Sequence, residues 1–273
     1  MVIMTKYDDS FLALVDHFSK HELVEGIMLA GSRTTANFDK DSDYDLYIYS
    51  KQEIPLEFRE ELADKYFNYA ELDNRTWEQE DQGFFKDSNV QIDIVYRDIN
   101  WLEGMLENIV IKHQALTGYT TCFWSNLINS DILYDEDGEL QVLKESFDIE
   151  YPEELRRNII AKNYPILNKI IPAYTNQIEK ALKRDDIISL NHRTSAFFES
   201  YFDIIFALNK TLHPGEKKLL KIVRDLEYTP ENMERDIREL FDNLYKKDFD
   251  VVDKLNEITN NLALLLRELR MLD

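Results

Sequence analysis

The chain has 273 residues, and its 53 acidic against 32 basic residues give a formal net charge of −21. Such a charge opposes nonspecific binding to nucleic acids and to anionic membrane surfaces. One cysteine, Cys122, excludes an intrachain disulfide, and no apolar run reaches the roughly 20 residues that cross a bilayer. Because the N-terminal segment also lacks a signal-peptide pattern, we expect a cytoplasmic protein without membrane partners.

The length allows two domains of ordinary size, each with a core of its own. With 7 glycines and 6 prolines the chain favours long helices over a turn-rich all-β fold. The pattern changes at about residues 147–152, from alternating helices and strands to helical periodicity alone. We therefore expect an α/β domain with a small mixed sheet over residues 1–148 and a helical bundle domain over residues 149–273.

The first part alternates predicted helices with strands, except for residues 68–86, which are polar and ambiguous. The predicted elements are a helix that starts at Asp8 or Ser10 and ends near Gly26, strands Ile27–Ala30 and Tyr44–Tyr49, a helix opened by Pro55, a strand Val90–Tyr96, a helix after Asp98 and a short strand from Asp131.

The second part shows almost only helical periodicity. The predicted helices cover about 153–184 with a bend near Pro165 or Pro172, about 186–211, a stretch after Pro214-Gly215, a stretch after Pro230, and about 250–272. This pattern is typical of a helical bundle.

The stretch from Gly31 to Tyr49 carries the most specific pattern in the chain. An apolar strand leads into Gly31-Ser32, and Asp43 and Asp45 follow with one residue between them. Side chains at i and i+2 of a strand share a face, so the two carboxylates would favour a hard cation such as Mg²⁺ between them. Glycine permits close backbone approach, so Gly31-Ser32 could present N–H groups and a hydroxyl to phosphate oxygens.

A third carboxylate, Asp93, lies within the predicted strand Val90–Tyr96. Apolar residues alternate along this strand and leave Asp93 on the opposite face as its only charged side chain. A lone buried aspartate is costly without a partner. The cost is removed if Asp93 joins Asp43 and Asp45 around a metal ion.

The aspartates also have two other interpretations. Alternating aspartates occur in EF-hand calcium loops, but these need glycine at the sixth position and glutamate at the twelfth. Counted from Asp39, those positions hold Tyr44 and Ser50, which excludes an EF-hand. The second interpretation is a solvated acidic loop before a strand. The Gly-Ser turn upstream and Asp93 downstream favour a metal and phosphate site instead.

The set Gly31-Ser32, Ser42-Asp43-x-Asp45 and distal Asp93 resembles the nucleotidyltransferase superfamily. That superfamily includes DNA polymerase beta, the aminoglycoside and lincosamide nucleotidyltransferases and small antitoxin-type nucleotidyltransferases. The match covers about Ile27–Tyr96, and the helical part resembles the arrangement in the aminoglycoside and lincosamide enzymes. Residues 90–98, 131–135 and 208–219 resemble an uncharacterised bacterial branch that carries the domain of unknown function DUF4037.

The resemblance implies a role for each motif residue. Asp43 and Asp45 would ligate two Mg²⁺ ions that bridge the nucleotide phosphates, and Gly31 and Ser32 would hold the β and γ phosphates, with Arg33 as a neighbouring candidate. Asp93 would complete one metal site and orient or deprotonate an acceptor hydroxyl. The third carboxylate of the aminoglycoside enzymes is commonly glutamate, so the base role of Asp93 stays open.

A triphosphate also needs cations, and a basic run between Lys210 and Arg224 is conspicuous in so acidic a chain. Lys217 and Lys218 follow Pro214-Gly215, which would put them in the first turn of a helix, where N–H groups also favour anions. We expect Lys217 and Lys218 to bind nucleotide, although an exposed basic face is the alternative. Polar groups at 192, 195, 199 and 203 could recognise an acceptor or form a solvent face.

The expected function is a magnesium-dependent nucleotidyltransferase that moves a nucleoside monophosphate, by default AMP from ATP, to a hydroxyl of a small-molecule acceptor. A cationic, aminoglycoside-like antibiotic suits the acidic surface better than a nucleic acid does. The alternative is a catalytically silent nucleotide-binding module or an antitoxin-like partner-regulating module. The sequence leaves the acceptor, the nucleotide and the oligomeric state open.

Overall fold

The structure, a computed structural model, describes residues 7–34 and 42–272. Asp39 and Asp41 of the acidic loop therefore lie outside the described residues. The described residues form two compact units, one within residues 1–107 and 126–149 and the other within residues 108–125 and 150–273. Within the described ranges, no helix is both long and apolar enough to cross a bilayer.

The first unit contains all the strands that the structure describes. Its elements in chain order are α1 (Asp9–Ser19), β1 (Val24–Ala30), a 3-10 turn (Gly31–Thr34), β2 (Tyr44–Ser50), α2 (Leu56–Tyr66), β3 (Phe67–Asn74), β4 (Gln79–Phe85), β5 (Gln91–Arg97), α3 (Ile99–Leu106), β6 (Asp131–Asp135) and α5 (Glu139–Phe147). Helix α4 (Cys122–Asn129) begins in the second unit and ends in the first.

One mixed sheet joins these strands in the order β3-β4-β5-β2-β1-β6. Strands β2 and β5 pair in parallel, and the other described neighbours are antiparallel. Alternation along β2 and β5 places one set of apolar side chains in a buried core with residues of α1 and α2; this set is Leu46, Ile48, Ile92 and Ile94. The opposite face of the same two strands therefore carries Asp45 and Asp93.

The second unit is helical. Its helices are α6 (Glu153–Asn168), α7 (Tyr174–Lys183), α8 (Ile187–Leu208), α9 (Leu219–Ile222), α10 (Met233–Asn243) and α11 (Val251–Glu268). From Phe197 onwards α8 is buried on almost every side, and α6 and α7 pack against it. The predicted fold class, a small mixed-sheet domain followed by a helical region, is confirmed.

Several predicted boundaries differ from the structure. Helix α1 ends at Ser19, and Gly26 lies inside β1, where a Cβ would approach the Leu140 Cδ1 to 2.3 Å. Gly26 thus permits a close contact and does not end a helix. The polar segment 68–86 forms most of the β3–β4 hairpin.

The predicted helix over 153–184 is two helices. The chain leaves helical geometry between α6 and α7, and Pro172, which has no backbone N–H to donate, lies in this break. Pro165 remains inside α6. The helix predicted after Pro214-Gly215 is limited to the four residues of α9.

Residues 108–125 group with the second unit, whereas the sequence-based boundary at 148 assigns them to the first domain. Buried hydrogen bonds explain the difference. The Gly118 N–H donates to the Asn163 side chain at 3.1 Å, and the Thr120 N–H and hydroxyl donate to Asp203 at 3.0 and 2.7 Å. These bonds tie the segment to α6 and α8, and sequence periodicity gives no sign of them.

Candidate functional site

Three carboxylates converge at the end of β1 and the starts of β2 and β5. Asp45 and Asp93 are paired residues in the parallel ladder between β2 and β5, and Asp43 immediately precedes β2. Each of Asp43, Asp45 and Asp93 offers an oxygen that lies within 4.8 Å of those offered by the other two. All three are half-buried. Three anions at this spacing repel one another, and an oxygen-liganded divalent cation would relieve that repulsion.

Gly31 lies directly against this cluster. Its φ of +71° belongs to the left-handed region, and a Cβ at this position would lie 1.8 Å from the Asp45 Oδ2 atom. Glycine is therefore required twice, once for the backbone conformation and once for the approach to the carboxylate. The next residue, Ser32, is half-buried in the same 3-10 turn.

Arg33 is buried, with 3% of its surface exposed. Its guanidinium carbon lies 3.7 Å from the centre of the Tyr44 ring, and its Nε donates to the Ser42 carbonyl at 2.8 Å. Arg33 thereby links the Gly31 turn to the residues on either side of Asp43. The structure thus gives Arg33 partners within the protein, and its expected contact with phosphate stays a prediction.

Tyr44 anchors the start of β2 from the core side. Its ring stacks on Phe11 at 4.1 Å, and its hydroxyl donates to the Asp8 carboxylate at 3.0 Å. Burial raises the pKa of Tyr44 to about 12, so this hydroxyl remains a donor at neutral pH. The strand that carries Asp45 is therefore held between the turn and α1.

The sequence pattern did not indicate the polar neighbours of Asp93. The Gln91 Nε2 donates to the Asp93 Oδ1 at 3.1 Å, and Gln82 of β4 is the cross-strand partner of Asp93. Burial, and after it the negative charge of Asp93, raise the pKa of Glu80, also on β4. No sequence signal was available for β4, because the residues over 79–82 are all polar and the alternation between half-buried and buried residues is seen only in the structure.

The family comparisons agree with this geometry. Residues 13–100 match the family model described as Polymerase beta, Nucleotidyltransferase. Residues 13–100 form a nucleotidyltransferase domain. The resemblance inferred from the sequence motifs is confirmed. Residues 121–219 match the model of a domain of unknown function, DUF4037, as the later motifs predicted.

Two of the solved structures that align with most of this chain do so at low identity. A nucleotidyltransferase-like protein from Exiguobacterium sibiricum 255-15 is 11% identical, with 95% of this chain and 74% of that chain covered and a TM-score of 0.43. A CCA-adding enzyme in complex with ATP is 13% identical, with 97% of this chain and 84% of that chain covered and a TM-score of 0.31. No curated protein matches the sequence.

The nucleotidyltransferase domain supplies six of the eight residues predicted for the site, namely Gly31, Ser32, Arg33, Asp43, Asp45 and Asp93. The other two, Lys217 and Lys218, are exposed residues of the second unit. They do not lie in a helical first turn, because Lys218 has a φ of +59° and α9 begins after it. Their nucleotide-binding role stays a prediction.

The polar positions considered on α8 have different environments. His192 and Ser195 are exposed and Glu199 is half-buried, but Asp203 is 1% exposed. Burial raises the pKa of Asp203 to about 6, an effect that its hydrogen bonds from Thr120 oppose. Asp203 therefore belongs to the buried scaffold of the second unit and not to a solvent face.

Proposed function

We propose that the protein is a magnesium-dependent nucleotidyltransferase that moves a nucleoside monophosphate, by default AMP from ATP, to a hydroxyl of a small-molecule acceptor. The observation that carries the proposal is the convergence of Asp43, Asp45 and Asp93 within 4.8 Å beside the Gly31 turn. The nucleotidyltransferase domain supports the reaction class. The nucleotide, the metal and the acceptor are the proposed parts.

The residues present fit the expected metal. Mg²⁺ prefers hard oxygen ligands. Asp45 on β2, Asp93 on β5 and Asp43, the residue before β2, offer carboxylate oxygens close to one another. Two bound Mg²⁺ ions would neutralise phosphate charge and stabilise the attacking and leaving oxygens of an in-line displacement. Asp43 and Asp45 would hold both ions, and Asp93 would complete one site.

The chain itself would bind and orient the reactants. Gly31, which is exposed, would present its backbone N–H group to phosphate, and Ser32 would supply a hydroxyl. Gln91 donates to one oxygen of Asp93 and leaves the other oxygen for ligand binding. This contact would fix the Asp93 carboxylate during the reaction.

The reaction would proceed by in-line displacement. The acceptor oxygen would form a bond to the α-phosphorus while the bond to the bridging oxygen breaks and pyrophosphate leaves. The hydroxyl proton must pass to a base, and Asp93 is our candidate. Its role as a metal ligand has the stronger support, because an aspartate is a weak base for a hydroxyl.

Net charge limits the proposed acceptor. At −21 the chain would repel nucleic acid phosphates and attract a cationic small molecule, such as an aminoglycoside-like antibiotic. A catalytically silent or antitoxin-like module is the competing function. The complete set of three carboxylates favours the enzyme, since a module without catalysis has no need to retain all three.

Calorimetric titration of ATP with and without Mg²⁺ tests the proposal, with Asp43→Asn/Asp45→Asn as the site variant and Asp64→Asn on α2 as an exposed control. We expect magnesium-dependent binding in the wild type and the control and none in the site variant. Absence of magnesium-dependent nucleotide binding in the wild type would overturn the proposal. Pyrophosphate release across a panel of hydroxyl-bearing acceptors then separates an enzyme from a binding module.

A further inference from the structure

A cavity of about 350 Å³ lies entirely among residues of the second unit. Much of its wall is apolar and aromatic, with side chains from α8, from α10 and from the turn before α4; the aromatic members are Tyr119, Phe198, Phe202 and Phe241. The size is that of a small-molecule site, and the wall suits an apolar body. None of the lining residues belongs to the nucleotidyltransferase domain of residues 13–100, and Lys217 and Lys218 are not among them.

The charges around the cavity are mainly negative. Three carboxylates line it, those of Glu199, Glu216 and Asp242. Arg238 also lines it, and its Nε donates to Glu234 at 2.9 Å; because Glu234 also accepts from Arg224, it offsets this cation only in part, and three carboxylates of the lining face one arginine. The cavity therefore favours a cation over an anion.

The turn that supplies Tyr119 is held in a strained conformation. Gly118 and Tyr119 have φ values of +80° and +53°, and the second is uncommon for a tyrosine. Buried hydrogen bonds fix the residues on both sides, from Gly118 to Asn163 and from Thr120 to Asp203. A Cβ on Gly118 would lie 2.8 Å from the Glu199 Cβ. Such over-determined strain is typical of functional sites.

The buried residue His213 contacts a residue of the same cavity wall. The His213 ring meets the Tyr119 ring edge-on, with centroids 4.9 Å apart, and its backbone N–H donates to Thr121 at 2.7 Å. Burial lowers the pKa of His213 to about 4, so its ring adds no positive charge at neutral pH. The chain continues from His213 to Glu216, and His213 thus helps to place both an aromatic ring and a carboxylate in the lining.

We propose that this cavity binds an organic cation, a ligand with an apolar or aromatic body and a protonated amine. The apolar body would pack against Phe198, Phe202 and Phe241, and the ammonium group would lie near Glu199 and Glu216. Aromatic faces and carboxylates both stabilise an ammonium ion. Burial, and then the charges of Glu199 and Glu216, raise the pKa of Tyr119 to about 12, so its hydroxyl stays uncharged. The inference does not rest on nucleotidyl transfer.

Three probes of matched shape test the inference on the full-length protein by calorimetric titration at pH 7 without nucleotide or metal. The probes are phenylbutylammonium, the neutral phenylbutanol and the anionic phenylbutyrate. We expect the ammonium to bind about tenfold more tightly than the alcohol, and the carboxylate to bind more weakly than both. Equal affinities for the three probes, or no binding of the ammonium, would overturn the proposal.

Two variants separate the charge from the apolar wall. Glu199→Gln should reduce ammonium binding to the level of the alcohol and leave the alcohol unchanged, whereas Phe241→Ala should weaken both probes. Phe241 is 49% exposed, so its truncation should preserve the fold. The half-buried Glu179→Gln on α7 and the exposed Leu264→Ala on α11 are controls outside the lining, and neither should change either affinity.

A preference for the ammonium that survives in folded Glu199→Gln would contradict the assignment of the cavity. If circular dichroism shows that Glu199→Gln is unfolded, the exposed Glu216→Gln takes its place. A reduced preference for the ammonium supports the proposal in that variant, and an unchanged preference overturns it.

Discussion

Asp45 and Asp93 are direct partners across the parallel pair β2 and β5. The same register pairs Leu46 with Ile94, which lie in the core on the other face of the sheet. A slip of one residue would move every side chain of the strand to the opposite face. The apolar core therefore also determines that the two carboxylates meet.

This pairing costs stability in the absence of a cation, because like charges directly opposite each other weaken a sheet. In EDTA, Asp93→Asn should raise the free energy of unfolding by about 0.2–1 kcal/mol. In Mn²⁺ or Mg²⁺ the wild type should gain stability through binding to the folded state, and the variant should lose most of that gain. Thermal melts in EDTA and in metal measure both effects. Asp64→Asn on α2 is the control. If metal stabilised Asp93→Asn as much as the wild type, a metal role for Asp93 would be contradicted.

Gly31→Ala tests the close approach of backbone and carboxylate. A Cβ would lie 1.8 Å from Asp45, and the positive φ adds strain of about 1–2 kcal/mol. We expect a loss of stability and weaker Mn²⁺ binding, because Asp45 must move. Gly138→Ala is a matched control, since Gly138 has a φ of +79° with nothing within 4 Å of an added Cβ. Unfolding by urea and titration of Mn²⁺ measure the two effects. If both variants kept normal Mn²⁺ affinity, the contact of Gly31 with Asp45 would have no part in the site.

Gln91→Leu tests the hydrogen bond that orients Asp93. Loss of the 3.1 Å contact should weaken Mn²⁺ binding about tenfold, as expected for a partner of a metal ligand, with little change in stability. Gln141→Leu is the control, because Gln141 donates to an exposed carboxylate, Glu145, elsewhere in the first unit. Titration of Mn²⁺ followed by electron paramagnetic resonance gives the affinities. Equal affinities in the two variants would show that Gln91 does not orient the ligand.

Asp203 should make the stability of the protein depend on pH. Burial raises its folded-state pKa to about 6, above the value of an unfolded aspartate, so the folded state binds the proton more tightly. The stabilisation from this proton is complete below about pH 4 and is lost as the pH rises through about 6, a change of about 2–3 kcal/mol. Asp203→Asn should lack this contribution.

The measurement for Asp203 is the free energy of unfolding in urea between pH 4 and pH 7.5. The free energy of unfolding of the wild type minus that of Asp203→Asn should fall as the pH rises over this range. Other carboxylates contribute equally to both proteins and cancel in the difference. A difference independent of pH would mean that Asp203 is not protonated in the folded state near pH 5.

Local pattern was sufficient for several elements. The alternation in Val90–Tyr96 predicted β5 and the face of Asp93, and the Gly-Ser turn with Asp43 and Asp45 predicted the nucleotidyltransferase domain. Polar segments were harder to interpret. The β3–β4 hairpin, which brings Gln82 beside Asp93, has too few apolar residues to reveal its period, because both its strands carry many polar side chains.

Some roles depend on contacts between residues far apart in the chain. The position of Arg33 beside Ser32 predicts a phosphate contact, which stays a prediction, and the sequence gives no sign that Arg33 is buried over Tyr44. Residues 108–125 looked like part of the first domain, yet Asp203 and Asn163 hold them in the second unit. No periodicity along the sequence records such partners.

The sequence by itself determined the strands that carry the motif and the identity of the three carboxylates. Each of these follows from neighbours along the chain or from the chemistry of single residues. Only the tertiary structure decided that Asp45 pairs with Asp93, that Gly31 lies against Asp45 and that the second unit contains an aromatic cavity. These features depend on which distant segments pack together, and packing is set by the shape and burial of the whole core.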